Sequence, residues 1–259
     1  MSTITGDAVI IYWRSHLEAK ELLVKNKLPL ILFLAAFISA VPLWAKDPVV
    51  PVLHQQTASA FPSVLSEGQP TSLSSHKQEL DDYYYSGRYE RDIAQVVNQA
   101  TAFLEQHAGK HQKPAIVMDI DETALSNWIQ MADNQFNYSP VKWNEWVLEA
   151  QAWAIGPCLN LFNTAKSLNV TVFFITGRKE AQRLATEQNL RNAGYMGWEK
   201  LFLKDKSYPY SATYKAARRK AIEELGYTIL LNIGDQQSDL SGGFSLATYK
   251  LPNPFYLVK

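Results

Sequence analysis

From Ala115 onward the chain alternates short apolar runs with stretches of helical spacing, a rhythm that few folds accommodate. The runs are AIVM (115–118), VTVFFI (170–175), KLFL (200–203) and TILLNI (228–233). Helices are expected over about 180–193, stopping at Gly194, and over about 212–225, capped by Gly226. Short apolar strands joined by helices predict an α/β fold, a Rossmann-like parallel sheet with helices on both faces. Ahead of it, Ile93, Val96, Val97, Ala100, Phe103 and Leu104 recur at helical spacing with Gly109 after them, which gives an N-terminal helical extension.

Such sheets bind ligands beyond the carboxyl ends of their strands. Asp119 follows the first strand, Thr176 the second and Asp235 the last, so three polar groups fall at one edge. Asp119 and Asp121 lie one residue apart in IVMDIDETALSN (116–127). Strand residues alternate between faces, so these two carboxylates share a pocket only if the strand ends there and turns. The segment 124–157 interrupts the strand rhythm with Trp128, Phe136, Tyr138, Trp143, Trp146 and Trp153, and its length suits a small cap insertion. Core packing is the usual role of any one of these rings, with stacking on a substrate the alternative.

Several chemistries are poor fits. Formal net charge is zero, so no global field favours nucleic acid or an anionic membrane. The lone Cys158 forms no internal disulfide and reads as a core thiol. His16, His54, His76, His107 and His111 all precede the aspartate pair, which disfavours zinc hydrolases, histidine-type phosphatases and Ser-His-Asp enzymes. The basic run 215–220 lies on an expected helix, where Arg218, Arg219 and Lys220 read as a solvated face. In GDQQSDL (234–240), Asp235 and Asp239 are four apart and point the same way if a helical turn starts there. Four carboxylates at one edge repel one another unless a cation sits among them, and all-oxygen ligation selects a hard ion such as Mg²⁺.

DIDET, a strand ending in ITGR, a lysine on a later helix and GDQQSDL, in that order, resemble the haloacid dehalogenase-like superfamily. Glu122, Thr176-Gly177-Arg178 and Tyr214-Lys215 point to its acid phosphatase branch, the class B-like and plant acid phosphatase or vegetative storage protein group. The resemblance covers about 78–259. It implies that Asp119 is a nucleophile forming an aspartyl-phosphate and Asp121 an acid–base whose backbone carbonyl reaches the metal. It makes Thr176 and Gly177 phosphoryl-binding groups, and Lys215 a stabiliser of negative charge. It assigns Asp119, Asp121, Asp235 and Asp239 to the Mg²⁺ site, with Asp235 a direct ligand and Asp239 either binding through water or orienting Lys215. Taken singly, Thr176 reads equally as a helix N-cap, Lys215 as a surface lysine and Asp235 as a turn initiator, and Lys204 and Lys206 are rival lysines. The implied substrate is a small phosphate monoester, a nucleotide among the candidates. The alternatives are a non-catalytic storage or binding protein, and a phosphotransferase to alcohol acceptors. Neither nucleic acid nor a lasting membrane association is expected, and oligomeric state leaves no mark on the sequence.

Leu28–Trp44 is an uncharged apolar run preceded by Lys25 and Lys27, with Pro42 near its end. It suits a signal peptide cleaved after Ala45 better than a membrane anchor, and places the protein in the periplasm or outside the cell. If the signal stays uncleaved, the chain is membrane-anchored instead. Initiation at Val24 would give a compact signal peptide, with Lys20-Glu21 codons resembling a ribosome-binding site, so residues 1–23 read as a start-site error. Residues 46–75, rich in Pro, Ser, Thr and Gln, read as a linker to a phosphatase domain at 76–259 with its cap at about 124–157.

Overall fold

The computed structural model describes residues 71–258. The export signal (1–45), the alternative start and most of the linker (46–75) lie outside the described residues. Helix α1 (Leu73–Tyr85) is capped by Ser72, whose hydroxyl accepts from the Ser75 amide. It begins within the stretch read as linker and buries none of its own residues. An aromatic contact holds it: Tyr84 stacks on Trp128 with ring centroids 3.8 Å apart and planes 3° from parallel. Helix α2 (Arg88–His107) buries Ile93, Val97, Ala100 and Leu104, the stripe its spacing predicts.

Five parallel strands form the sheet: β1 (Pro114–Met118), β4 (Thr171–Lys179), β5 (Lys200–Lys204), β6 (Thr228–Gly234) and β7 (Ala247–Lys250). Their order is β5-β4-β1-β6-β7, with β1 in the centre. Alternation along each strand feeds two cores. Ile116, Met118, Val172 and Phe174 face α2 and α5 (Gly156–Ser167). Ala115, Val117, Phe173, Ile175 and Ile229 face Tyr214 and Ile222 of α7 (Ser211–Glu224). Both faces of the sheet are therefore covered, as the apolar runs require. Thr176 does not follow its strand but lies within it, because β4 continues to Lys179 through a register shift against β5.

The cap insertion opens and closes on a two-residue antiparallel ribbon, β2 (Leu125–Ser126) with β3 (Trp153–Ala154). Between them lie α3 (Trp128–Asp133) and α4 (Pro140–Glu149), the latter capped by the Ser139 hydroxyl with Pro140 at its first turn. Helix α6 (Arg183–Asn192) follows a short 3₁₀ turn, and α8 (Gln237–Leu240) follows β6.

The basic run on α7 is not a uniform solvated face. Lys220 is exposed, but Arg219 is fully buried. Its guanidinium donates to the backbone carbonyls of Asp239 (2.5 Å), Gly243 (2.8 Å) and Ser241, and so braces the turn after β6. Arg219 lies four residues after Lys215 and shares its helix face, which is why both point inward. Arg219→Met should therefore cost about 3 kcal/mol in urea unfolding, since the buried Asp239 carbonyl and two part-buried ones lose a charged donor. Lys220→Met should change stability by no more than about 0.5 kcal/mol. Equal effects at the two positions would contradict this bracing role.

Candidate active site

Asp119 leaves the carboxyl end of β1 with its amide still bonded to the Ile233 carbonyl of β6 (3.0 Å). The chain then turns sharply. The amides of Thr123 and Leu125 both donate to the Ile120 carbonyl, and Glu122 takes a left-handed φ of 55°. The turn brings Asp121 to the cavity that Asp119 enters, as the one-residue spacing requires.

Asp119, Asp235 and Asp239 are all buried, and each offers an oxygen within 4.8 Å of those of the other two. Lys215 reaches across from α7 and donates to Asp119 Oδ1 and to Asp239 Oδ1 (2.6 Å). Asp239 fits because residue 234 is glycine: a Cβ there would lie 2.4 Å from Asp239 Cβ. Asp235 accepts from Thr123 Oγ1 (3.2 Å), Gln236 Nε2 (2.6 Å) and Asn253 Nδ2 (2.7 Å). Three carboxylates and one ammonium leave two negative charges when all are ionised, a deficit that one divalent cation neutralises. The donor set is oxygen only, which suits a hard cation.

The electrostatics follow from burial. Desolvation opposes charge on Lys215, but Asp119 and Asp239 outweigh it and hold the ammonium protonated. Burial pushes the Asp119 carboxyl up, and repulsion from Asp239, Asp235 and Asp121 adds to this against the pull of Lys215. Burial and then the charge of Asp239 push Asp235 up to about 6, while Asn253 and Gln236 pull it back. Glu122, whose buried carboxylate accepts from the Asn127 amide (2.7 Å) and from Tyr256 Oη (2.5 Å), is pushed by burial up to about 8.

Asp121 stands apart from this cluster. Its carboxylate pairs with Arg178, Nη2 to Oδ1 at 2.6 Å and Nε to Oδ1 and Oδ2 at 3.0 and 3.2 Å. Thr176 is buried, and its hydroxyl accepts from the Arg178 amide at 3.1 Å. Gly177, Arg178 and Lys215 line a cavity of about 540 Å³ together with Asp119, Asp121, Asp235 and Asp239, whereas Thr176 sits behind its wall. Of the cap aromatics, Phe136, Tyr138 and Trp143 line the cavity. Trp128 backs Phe136 and Phe255 instead, at ring centroids 5.7 and 5.2 Å away.

Sequence reasoning missed the roles of Arg178, Asn127, Glu122 and Asn253, and the wall formed by Phe255, Tyr256, Leu257 and Val258. Arg178 carried a signal, since an arginine just past a buried strand needs a carboxylate partner. Asn253 carried none.

A family model of the HAD superfamily, subfamily IIIB (acid phosphatase), matches residues 65–259. Acid phosphatase 1 of Solanum lycopersicum is 35% identical over 186 residues, 69% of this chain and 73% of that one. The stem 28 kDa glycoprotein of Glycine max is 36% identical over 184 residues, 68% and 72% of the two chains. Among solved structures, the class C acid phosphatase from Bacillus anthracis matches with a TM-score of 0.61 and 25% identity, over 71% of this chain and 86% of that one.

A carboxyl group must lose its proton before it ligates a metal, so the raised pKa of Asp235 gives cation binding a pH dependence. Apparent affinity for a divalent cation should fall as pH drops through about 6, the displacement of Asp119 acting in the same sense. Calorimetric titrations one unit above and one unit below, each in two buffers, should show more proton release at the lower pH. Affinity independent of pH across that window would contradict the assignment.

Proposed function

The chain belongs to the HAD superfamily, subfamily IIIB, the acid phosphatases, and from that footing we propose that it is an exported, Mg²⁺-dependent enzyme working through an aspartyl-phosphate on Asp119. It is a phosphoric monoester hydrolase. The observation that carries the mechanism is the Asp119 carboxylate, set at the mouth of the central strand against Lys215 and facing the cavity.

Asp119 attacks phosphorus and the ester P–O bond breaks, giving the aspartyl-phosphate and an alkoxide. Asp121 protonates that alkoxide as it leaves. It then takes a proton from the water that attacks phosphorus, releasing inorganic phosphate and restoring Asp119. A halide leaving group needs no such proton, so the second aspartate favours ester hydrolysis over dehalogenation. Lys215 offsets negative charge on the phosphoryl oxygens, as a compact ammonium can. Gly177 and the amides beside it hold those oxygens, while Thr176 behind them accepts from the Arg178 amide and sets the turn that presents them. Asp119, Asp235 and Asp239, with the Asp121 carbonyl, would hold Mg²⁺, which supplies further positive charge to the phosphoryl group.

The substrate is a small phosphate monoester. Phe136, Tyr138, Trp143 and Tyr256 offer flat apolar surfaces beside the carboxylates, which supports a leaving group with a ring, nucleotides included. The apolar run 28–44 supports export to the periplasm or beyond the cell. A storage role has less support, because nucleophile and acid–base are both present and face one cavity. Transfer to an alcohol acceptor would use the same aspartyl-phosphate, and product analysis with added alcohol distinguishes it.

Asp119→Asn should lower turnover of para-nitrophenyl phosphate by roughly a thousandfold or more while circular dichroism stays unchanged. EDTA should abolish wild-type turnover, and added Mg²⁺ should restore it. An Asp119→Asn variant with wild-type activity would sink the mechanism.

A further inference from the structure

Asp121 is the group through which the proposed reaction moves its protons, yet the carboxylate–lysine cluster does not hold it. Arg178 grips one side of its carboxylate, and on another side Asn127 Nδ2 donates to Oδ1 at 3.1 Å. Among the described residues Oδ1 thus accepts from three donor atoms, whereas Oδ2 accepts only from Arg178 Nε at 3.2 Å. Oδ2 is the oxygen left free to carry a proton.

Asn127 is fully buried, and both ends of its amide are engaged. Nδ2 donates to Asp121 Oδ1 and to Glu122 Oε2, each at 3.1 Å, and Oδ1 accepts from Trp146 Nε1 at 2.8 Å. An amide's oxygen and nitrogen ends have nearly the same shape, so its partners decide which end faces which way. The indole N–H donates only. It therefore fixes the amide oxygen toward Trp146 and turns the two N–H donors toward the two carboxylates. Reversal would set an oxygen against Asp121 and Glu122 and leave the indole without an acceptor. Trp146 lies on α4, so the cap sets the orientation of Asn127, which in turn restrains Asp121.

We propose that Asn127 is a positioning residue that aims Asp121 Oδ2 at the leaving oxygen, and that Trp146 on the cap locks Asn127 in the working orientation. The inference rests on the acid–base reading of Asp121. In the first step Oδ2 passes its proton to the alkoxide oxygen as the P–O bond breaks, and in the second it recovers one from the attacking water. Without Asn127, Oδ1 keeps only Arg178, the carboxylate is free to pivot about that contact, and proton delivery suffers more than binding does.

The test is leaving-group dependence of kcat/KM, which reports the step in which the ester bond breaks. Dinitrophenyl phosphate expels an anion that needs no proton, whereas glycerol phosphate expels an alkoxide that does. Asp121→Asn should lower kcat/KM for glycerol phosphate by about 100-fold or more while dinitrophenyl phosphate falls far less. Asn127→Ala should show the same signature, about 10- to 100-fold on glycerol phosphate and within about threefold on dinitrophenyl phosphate. Trp146→Phe keeps the ring and removes only the donor. It should show the signature at smaller amplitude, and it carries the test alone if Asn127→Ala fails to fold. Equal losses on both substrates in Asn127→Ala and Trp146→Phe, beside a leaving-group-dependent loss in Asp121→Asn, would overturn the positioning role and spare the acid–base reading. Equal losses in Asp121→Asn itself would overturn both.

Discussion

The buried ammonium of Lys215 is the contact on which the arrangement at the sheet edge depends. Asp119, Asp235 and Asp239 come from two connections that no covalent link holds together, and their mutual repulsion would spread them. Lys215 binds two of the three at once. It reaches them only because α7 is seated by Tyr214 and Ile222 in the core beneath the sheet. The same helix sends Arg219 to the carbonyl of Asp239, which also accepts from Asn232 Nδ2 at 2.8 Å. One helix face therefore holds both the side chain and the backbone of the same aspartate. Burying a charge this deeply is costly unless it is paired and hydrogen-bonded, as Lys215, Asp119 and Asp239 are, while Asp235 is held by the neutral donors of Thr123, Gln236 and Asn253.

A second layer surrounds that cluster. Asn253 and Gln236 hold Asp235, and Gln236 also accepts from the Val258 amide at 2.9 Å. Tyr256 reaches Glu122, which in turn grips the Asn127 amide. The segment 253–258 thus ties the loop after β6 to the turn after β1 while its side chains wall the cavity. Outer contacts of this kind fix the direction of a ligand's lone pairs, and they matter to a metal site nearly as much as the ligands do.

What the sequence made legible follows from the range of the interactions. The strands β1, β4, β5 and β6 stand out because burial on both faces demands uninterrupted apolar runs. The edge strand β7 alternates half-buried and exposed residues over four positions and leaves no such run. Helix α5 carried a signal in Cys158, Leu161, Phe162 and Ala165, whose spacing is helical, but its Gly-Pro start looks like a loop. Asp119, Lys215, Asp235 and Asp239 could be grouped because strand ends converge and the motif order is known. Arg219 could have been read from its four-residue distance to Lys215. Asn253 and Tyr256 could not, because their partners lie 18 and 134 residues away and nothing local marks them.

The central place of β1 has a consequence for how the chain reaches this state. Ala115 pairs with Thr171 on one side and Ile229 on the other, so the most apolar strand waits for both neighbours to be made. Until then it presents two unpaired edges and an apolar run to any other chain nearby. Contacts of such long sequence separation close late. Lys215 and Asp119, 96 residues apart, can meet only once that sheet is laid down. Recovery of catalysis after dilution from denaturant would therefore time the last event of folding, and chains lost before that event would be lost as aggregates seeded at β1.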